Sequence, residues 1–490
     1  MADTISGTCI PGAVGDTFRR LAAATALPHP RSRHLVDLED GGELEEIAEE
    51  YGVFADLDRA VAAANDAFRA LSGLSLEQRF ELVRAMRKAA WANAEYLAVF
   101  CVKESGMGRV DSKTLKNRLV ASATPGPEAL TSHVSTGDYG LSLLERAPWG
   151  TIGSITPVTN AATSIINHGI AMVSAGNSVV FNAHPRAAKV SARALQVLNK
   201  AVVEAGGPAN LLTCCAHPTQ ETAKELMVHP GIDLLVVTGG KAVVGEGMRC
   251  GKPVIAAGPG NPPVVVDETA YIDKAARDII FGASFDNNLV CILEKEVIVV
   301  EAVAEQLVES LKQHGAYELS SWQAQRLSNV VLEEIPGPGR PASVNKNWVG
   351  QDAATILREI GVEAGSDVQL IFAEVPWDHP FVLTELLMPI IPVVRAPDVE
   401  QAIELAITVE QGFRHTAVMH STNIDHMTRM ARAINTTIFV KNGPSLAGLG
   451  HEGQGFTSMT IATPTGHGIV GPIAYTRQRR CVLVDYLRIV

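Results

Sequence analysis

The sequence predicts an α/β fold built on parallel sheets, with a separate β arm. Three observations carry that prediction. Short apolar runs alternate with helical stretches from about residue 150, the alternation restarts after Asp267, and two extended segments stand apart with no helix after either.

Before residue 150 the chain reads as helical. Residues 55–71 (ADLDRAVAAANDAFRAL) place Leu57, Val61, Ala64, Phe68 and Leu71 on one helical face. Ser75 and Gln78 form a capping box that opens a second helix through Trp91. TIGSITPV then begins the alternation, followed by an apolar helix around 163–175, NSVVFNA, a helix over 186–205, NLLTCC, another helix, DLLVVTGG, KPVIAAG and PPVVVD. Buried runs of this length between helices belong to βαβ units and a parallel sheet. After Asp267 come a helix over 272–282, a strand CILEKEVIVV starting at Cys291, a helix over 302–313 and the Pro/Gly-rich loop PGPGRPAS at 336–343.

The division expected is an N-terminal extension over 1–50, a first domain over 51–267, a second over 268–460 and a closing segment over 461–490. Strands at about 131–148 and the C-terminal YTRQRRCVLVDYLRIV read as an arm. An open strand edge invites pairing, so the arm is expected to join copies into a homodimer or homotetramer. An intramolecular edge hairpin is the plainer alternative.

Composition removes several classes of function. A net charge of −12 argues against a nucleic-acid partner, because phosphate binding needs a basic face. No apolar run reaches the length of a membrane span, and the N-terminus lacks a basic-then-apolar signal pattern. Seven scattered cysteines make no disulfide framework, and there is neither a CxxC pair nor an HExxH. The expectation is a cytoplasmic protein with no structural metal and no membrane partner.

Cys291 stands out in GASFDNNLVCILEKE (282–296), beside Asp286, Asn287 and Asn288. The residues alone leave two readings open, a buried small hydrophobe and a nucleophile at a domain junction. The other cysteines carry weaker signals: Cys214 and Cys215 end a strand, Cys481 lies in the arm, Cys9 in the extension, and Cys101 and Cys250 in or at the ends of helices.

TPVTN (156–160), SAGNSVVFNAHPRA (174–187), VVTGG (236–240), GPGNPPVVVD (258–267), the cysteine loop and ELLMPIIPV (385–393) resemble, in that order, the aldehyde dehydrogenase superfamily. HTAVMHS (415–421), FVKNGPSLAGLG (439–450), TIATPTGHG (460–468) and RRCVLV (479–484) extend the resemblance to its CoA-acylating branch, the propionaldehyde and acetaldehyde dehydrogenases of bacterial microcompartments. It covers roughly residues 52–490. The resemblance implies a Rossmann-type nucleotide-binding domain, an α/β catalytic domain and an oligomerisation arm.

It also implies a chemistry. Cys291 would attack the aldehyde carbonyl, a hydride would pass to NAD, and a thioester would remain on the sulfur. Asn160 is the oxyanion donor implied, with the Cys291 backbone N–H beside it; a helix-cap role is its alternative. This chain has Thr159-Asn160-Ala161 where close relatives have Thr-Asn-Pro, so a looser turn is expected. Hydrolytic members carry a water-activating glutamate where this chain reads AAGPGN (256–261), with Gly258 and Gly260. CoA is then the acceptor implied, and the product an acyl-CoA. His415 is the matching candidate for deprotonating the CoA thiol or orienting the thioester. Most other histidines are expected on the surface or in loops.

For the nucleotide, Thr238, Gly239 and Gly240 would let the backbone approach the dinucleotide, and Pro157 and Thr159 share that side. Glu385 matches the holder of the nicotinamide ribose, with a solvated surface glutamate as the alternative. The acidic ribose clamp of hydrolytic relatives is replaced by Asn182 and Pro185, so the residues alone leave NADP open beside NAD. His184, Arg186 and Lys189 are candidates for nucleotide or CoA phosphates, or a solvated helix start. Phe18, Leu21 and Ala22 make a short apolar stripe in the extension, which the resemblance reads as an encapsulation segment for microcompartment shell proteins. A hydrolytic dehydrogenase and a non-redox cysteine acyltransferase using CoA are the alternative functions.

Overall fold

The computed structural model describes residues 46–489, and the encapsulation stripe and Cys9 lie outside them. Two parallel sheets carry the architecture. The first has six strands in the order Val53–Phe54, Leu212–Cys215, Ser178–Asn182, Thr151–Ile155, Leu234–Thr238 and Val254–Ala257. The second has seven, in the order Tyr317–Glu318, Ile371–Glu374, Ile390–Ala396, Glu296–Val300, Pro263–Val266, Thr416–His420 and Ile438–Lys441.

The second sheet is buried on both faces. Val264, Val266, Val297 and Val299 enter one apolar cluster, while Val265, Ile298 and Val300 enter another on the opposite side. Alternate side chains point to opposite faces of a strand, so only a continuous apolar run satisfies both clusters. PPVVVD therefore belongs here, paired to Glu296–Val300 and Thr416–His420. The first sheet ends at Ala257 and the second begins at Pro263, slightly ahead of the boundary expected at 267.

A third sheet is antiparallel and joins His133–Gly137, Gly140–Pro148 and Thr476–Val484. The C-terminal strand thus pairs within its own chain against the 140–148 strand, and among the described residues no further strand pairs with the outer edges. Val134, Val482 and Val484 are more than half exposed there.

The cysteine loop differs from expectation at one point. Strand structure begins at Glu296, five residues later than Cys291, and Cys291 to Leu293 form a turn. The cause is upstream. Asp286, Asn287 and Asn288 all take left-handed φ values of 47°, 53° and 65°, a region that L residues enter only at some strain. Each is held there by its own side chain. Asp286 accepts from the Arg109 N–H, Lys113 Nζ and Lys116 Nζ at 2.9, 3.1 and 2.5 Å. Asn287 Nδ2 donates to the Gly350 carbonyl and Asp352, and Asn288 Nδ2 to the Ala283 and Glu294 carbonyls. These three residues were expected beside the thiol as polar neighbours; their side chains instead anchor the loop.

Removing the Asp286 carboxylate leaves two buried ammonium groups without their counter-ion. Asp286→Ala is expected to lower the unfolding free energy by about 3–5 kcal/mol, read as a fall in calorimetric Tm. An unchanged Tm would contradict this account of the loop.

Candidate active site

The chain order of the first sheet diverges at its centre. Strands Thr151–Ile155 and Leu234–Thr238 are neighbours, with Ile155 opposite Val237, and the chain proceeds outward from them in both directions. Open parallel sheets bind ligands in the crevice beyond the carboxyl ends at such a switch point. The 156–160 and 238–240 segments, holding Pro157, Thr159, Thr238, Gly239 and Gly240, leave the strands there.

This crevice fits a dinucleotide on three observations. Thr156 Oγ1 and Thr238 Oγ1 are buried without a partner among the described residues. The helix Lys241–Arg249 has Gly240 at its N-cap and no side-chain cap, so its first N–H groups are free for a phosphate. Space in front of Gly240 is open. The groups near residue 184 are otherwise engaged: His184 Nδ1 accepts the Arg186 N–H, the Arg186 guanidinium donates to the Ser105 carbonyl, and Lys189 pairs with Glu46. Asn182 is buried and bonded to Thr222 and Thr219.

Four loops reach the amino ends of central strands in the second sheet. They bring Gly260, Cys291, Glu385 and His415 ahead of Pro263–Val266, Glu296–Val300, Ile390–Ala396 and Thr416–His420 respectively. Gly260 joins three of them. A Cβ at that position would lie 2.8 Å from the His415 ring and 3.0 Å from the Cys291 carbonyl oxygen, and the Gly260 N–H donates to the Glu385 carboxylate. Glu385 is thus no solvated surface residue; burial raises its pKa and Lys295 opposes the rise.

Cys291 keeps partial solvent exposure. Burial of the sulfur and the nearby Glu385 charge push its thiol up to about 12, while Lys295, its own backbone N–H and Lys116 act the other way. The resting group is the neutral thiol, and its activation falls to those cations and N–H donors. Lys295, whose pKa burial lowers, donates to Asn288 Oδ1 at 2.5 Å and to the Asn288 carbonyl at 3.1 Å.

His415 is fully buried. Its Nδ1 meets Thr416 Oγ1 at 3.0 Å, its backbone N–H is held by Glu410, and Nε2 has no partner among the described residues. Burial and Lys295 push its pKa down to about 3, so the imidazole is neutral at physiological pH. His168 and His420 are also buried, two exceptions among histidines expected mostly on the surface or in loops.

Asn160 occupies the N-cap position of the helix Ala161–Ser174, yet its side chain makes no capping bond. Its Oδ1 accepts instead from Lys116 Nζ at 2.7 Å. Ala161 packs buried at the first helical position and the Ser164 N–H closes on the Asn160 carbonyl at 2.8 Å, so the turn is a regular helix start without proline. A small crevice lined by Cys101, Lys113, Lys116, Thr159 and Asn160 adjoins it. A larger open cleft of about 830 Å³, with Trp91, Arg118 and His451 on its walls, includes none of the candidate site residues.

A model of the aldehyde dehydrogenase family matches residues 44–319. The chain belongs to the aldehyde dehydrogenase family. Within that family it is similar to the acetaldehyde dehydrogenase (acetylating) of Salmonella typhimurium, 50% identical over 457 residues that cover 93% of this chain and 97% of that enzyme. A propionaldehyde dehydrogenase from the fucose utilisation bacterial microcompartment of Clostridium phytofermentans superposes with a TM-score of 0.87 at 44% identity, covering 90% of this chain and 100% of that one. The propionaldehyde dehydrogenase of Rhodopseudomonas palustris, solved with bound CoA and an acylated cysteine, gives 0.86 at 44% identity, covering 89% and 99%.

Sequence reasoning missed Lys113, Lys116, Lys295 and Glu294. In this aldehyde dehydrogenase Glu294 is buried, accepts from the Ser445 N–H and Oγ at 2.7 Å each, and is pushed up to about 7 by burial. One signal was available: Glu294, Lys295 and Glu296 are three consecutive charges running directly into the apolar run Val297–Val300. For Lys113 and Lys116 nothing local distinguished them from a solvated helix face.

Gly260→Ala forces the His415 ring and the Cys291 carbonyl apart. A misplacement of this kind is expected to lower kcat about a hundredfold with the far-UV spectrum unchanged; wild-type kcat would show that Gly260 does not set this geometry.

Proposed function

We propose that this aldehyde dehydrogenase converts a short-chain aldehyde such as propionaldehyde, NAD and CoA into the acyl-CoA and NADH, reversibly, through a thioester on Cys291. The observation that carries the reading is Gly260 seated between Cys291 and His415, in the segment where a water-activating glutamate would stand.

The Cys291 thiol releases its proton to solvent, which it partly contacts, and the sulfur then bonds to the aldehyde carbon. Negative charge then develops on the carbonyl oxygen, where Asn160 Nδ2 and the Cys291 backbone N–H supply donors. NAD, when bound, supplies the hydride acceptor. Pro157, Thr159, Thr238, Gly239 and Gly240 would hold the dinucleotide and Glu385 its nicotinamide end, with His184 at the outer side. The CoA sulfur attacks the resulting thioester, and Cys291 departs as thiolate and takes up the proton that the CoA thiol gives up. His415, neutral with a free Nε2, accepts a hydrogen bond from the incoming CoA thiol and orients it.

Glu385 gives the hydrolytic alternative a foothold, since its charge reaches the Cys291 thiol. Its engagement by the Gly260 N–H and Lys295 disfavours a role as water base. The domain roles follow the sheets: the first sheet and its helices carry NAD, the second carries Cys291. We assign the open-edged third sheet, with its exposed Val134, Val482 and Val484, to pairing with a second copy in a homodimer or homotetramer. The microcompartment origin of the Clostridium phytofermentans relative supports a cytoplasmic placement inside such a compartment, among shell proteins. Among the described residues no helix is long and apolar enough to cross a membrane.

The test follows NADH absorbance with purified protein, propionaldehyde and NAD, with and without CoA, beside Cys291→Ala. Turnover is expected to require both CoA and Cys291, with acyl-CoA found by mass. Sustained turnover without CoA would mean hydrolysis, and acyl transfer without NADH a non-redox acyltransferase.

A further inference from the structure

Lys116 lies on the helix Val110–Ala123 and is only 2% exposed. Its ammonium donates to Asp286 Oδ2 at 2.5 Å, to Asn160 Oδ1 at 2.7 Å and, at the limit, to the Thr159 carbonyl at 3.5 Å. An ammonium group only donates, so the atom of the Asn160 amide that faces it is the oxygen. The choice between the two amide orientations, open for most asparagines, is closed here. Asn160 Nδ2 is turned to the other side, where its protein partner is Thr159 Oγ1 at a long 3.4 Å. The donor is therefore aimed and nearly free.

Tying the helix to the cysteine loop does not by itself require Lys116. Lys113 already bonds Asp286 Oδ2 at 3.1 Å, and the Arg109 N–H bonds Oδ1 at 2.9 Å. What Lys116 adds is the bond to Asn160. It also sets a second amine on a carboxylate that balances one; burial first, with Lys113 beside it, lowers the Lys116 pKa, and Asp286 opposes the fall. The charged and titratable groups around it are Lys113, Asp286 and Cys101, and around Cys291 they are Glu385, Lys295 and Lys116.

We propose that Lys116 is a positioning residue for aldehyde oxidation: it fixes the Asn160 amide with nitrogen toward the oxygen of the Cys291 adduct and lends that donor its positive charge. The proposal rests on the reading of Asn160 as the oxyanion donor. A hydrogen bond from a cation to the amide oxygen draws electron density from the nitrogen and strengthens its N–H as a donor. The oxyanion exists only after sulfur attack, so the benefit falls on kcat rather than on aldehyde KM.

The test is a double-mutant cycle on kcat with Lys116→Met, Asn160→Ala and the pair together, using the intact chain with propionaldehyde, NAD and CoA. Each single change is expected to lower kcat about a hundredfold with aldehyde KM little changed. The double variant is expected to match the slower single within about twofold, because both remove one donor. A residue that only supports the fold would instead multiply its loss onto that of Asn160→Ala. Multiplying losses, or wild-type kcat for Lys116→Met beside an impaired Asn160→Ala, would overturn the proposal alone. Wild-type kcat for Asn160→Ala would overturn the oxyanion reading beneath it. If Lys116→Met fails to fold by circular dichroism, Lys116→Gln carries the same cycle.

Discussion

The buried carboxylate of Asp286 holds together most of what matters in this chain. It lies fully out of solvent, between two lysines of one helix, and fixes the first of three consecutive left-handed residues. That turn ends the helix Ile272–Ser284, delays the next strand to Glu296 and leaves Cys291 in a turn instead of in a ladder. A cysteine inside the sheet would have its backbone N–H committed to a neighbouring strand. In a turn the N–H is free to face the sulfur and the oxygen that forms on it. A cluster of one acid and two bases is strained by desolvation, and breaking it is expensive. That expense is what keeps three residues in a backbone region they would otherwise leave.

The two sheets contribute opposite ends to the chemistry. The crevice proposed for the nucleotide lies beyond carboxyl ends of the first sheet, where parallel strands give way to helix N-termini and their unpaired N–H groups. The cysteine, Gly260, Glu385 and His415 sit ahead of amino ends of the second. A reaction passing a hydride one way and an acyl group the other needs such a junction. Around Cys291 the buried charges are numerous, with Lys295, Glu294, Glu296 and Glu385 all shifted from their ordinary pKa values chiefly by burial. Activation of the thiol is accordingly a matter of the few donors aimed at it and of cations held close.

Much of this was legible in the sequence. The alternation of apolar runs and helices foretold the strands of the first sheet from residue 150 onward, and Pro263–Val266 and Glu296–Val300 of the second, because strands buried on both faces must be apolar throughout. Cys291, Asn160, His415 and the 238–240 turn were visible because each sits where a strand gives way to a loop or a loop to a strand. Less legible were features that depend on partners far apart in the chain. Lys116 is separated from Asp286 by 170 positions, and no local pattern reveals that a lysine faces inward. The strand start was misplaced for the same reason: CILEKEVIVV alternates well enough for a strand, and only the Asp286 anchor, a tertiary bond, turns its first residues aside. PPVVVD was apolar enough for either sheet, and its pairing with Glu296–Val300 decided it.

The claim at the centre is that Cys291 carries the acyl group and water does not take it. Intact-protein mass spectrometry after brief exposure to propionaldehyde and NAD, without CoA, addresses it directly. The account predicts one added propionyl group, mapped by peptide analysis to Cys291, that persists until CoA is added and then leaves as propionyl-CoA. An unmodified protein accumulating NADH and free propionate, or an acyl group on another residue, would contradict it.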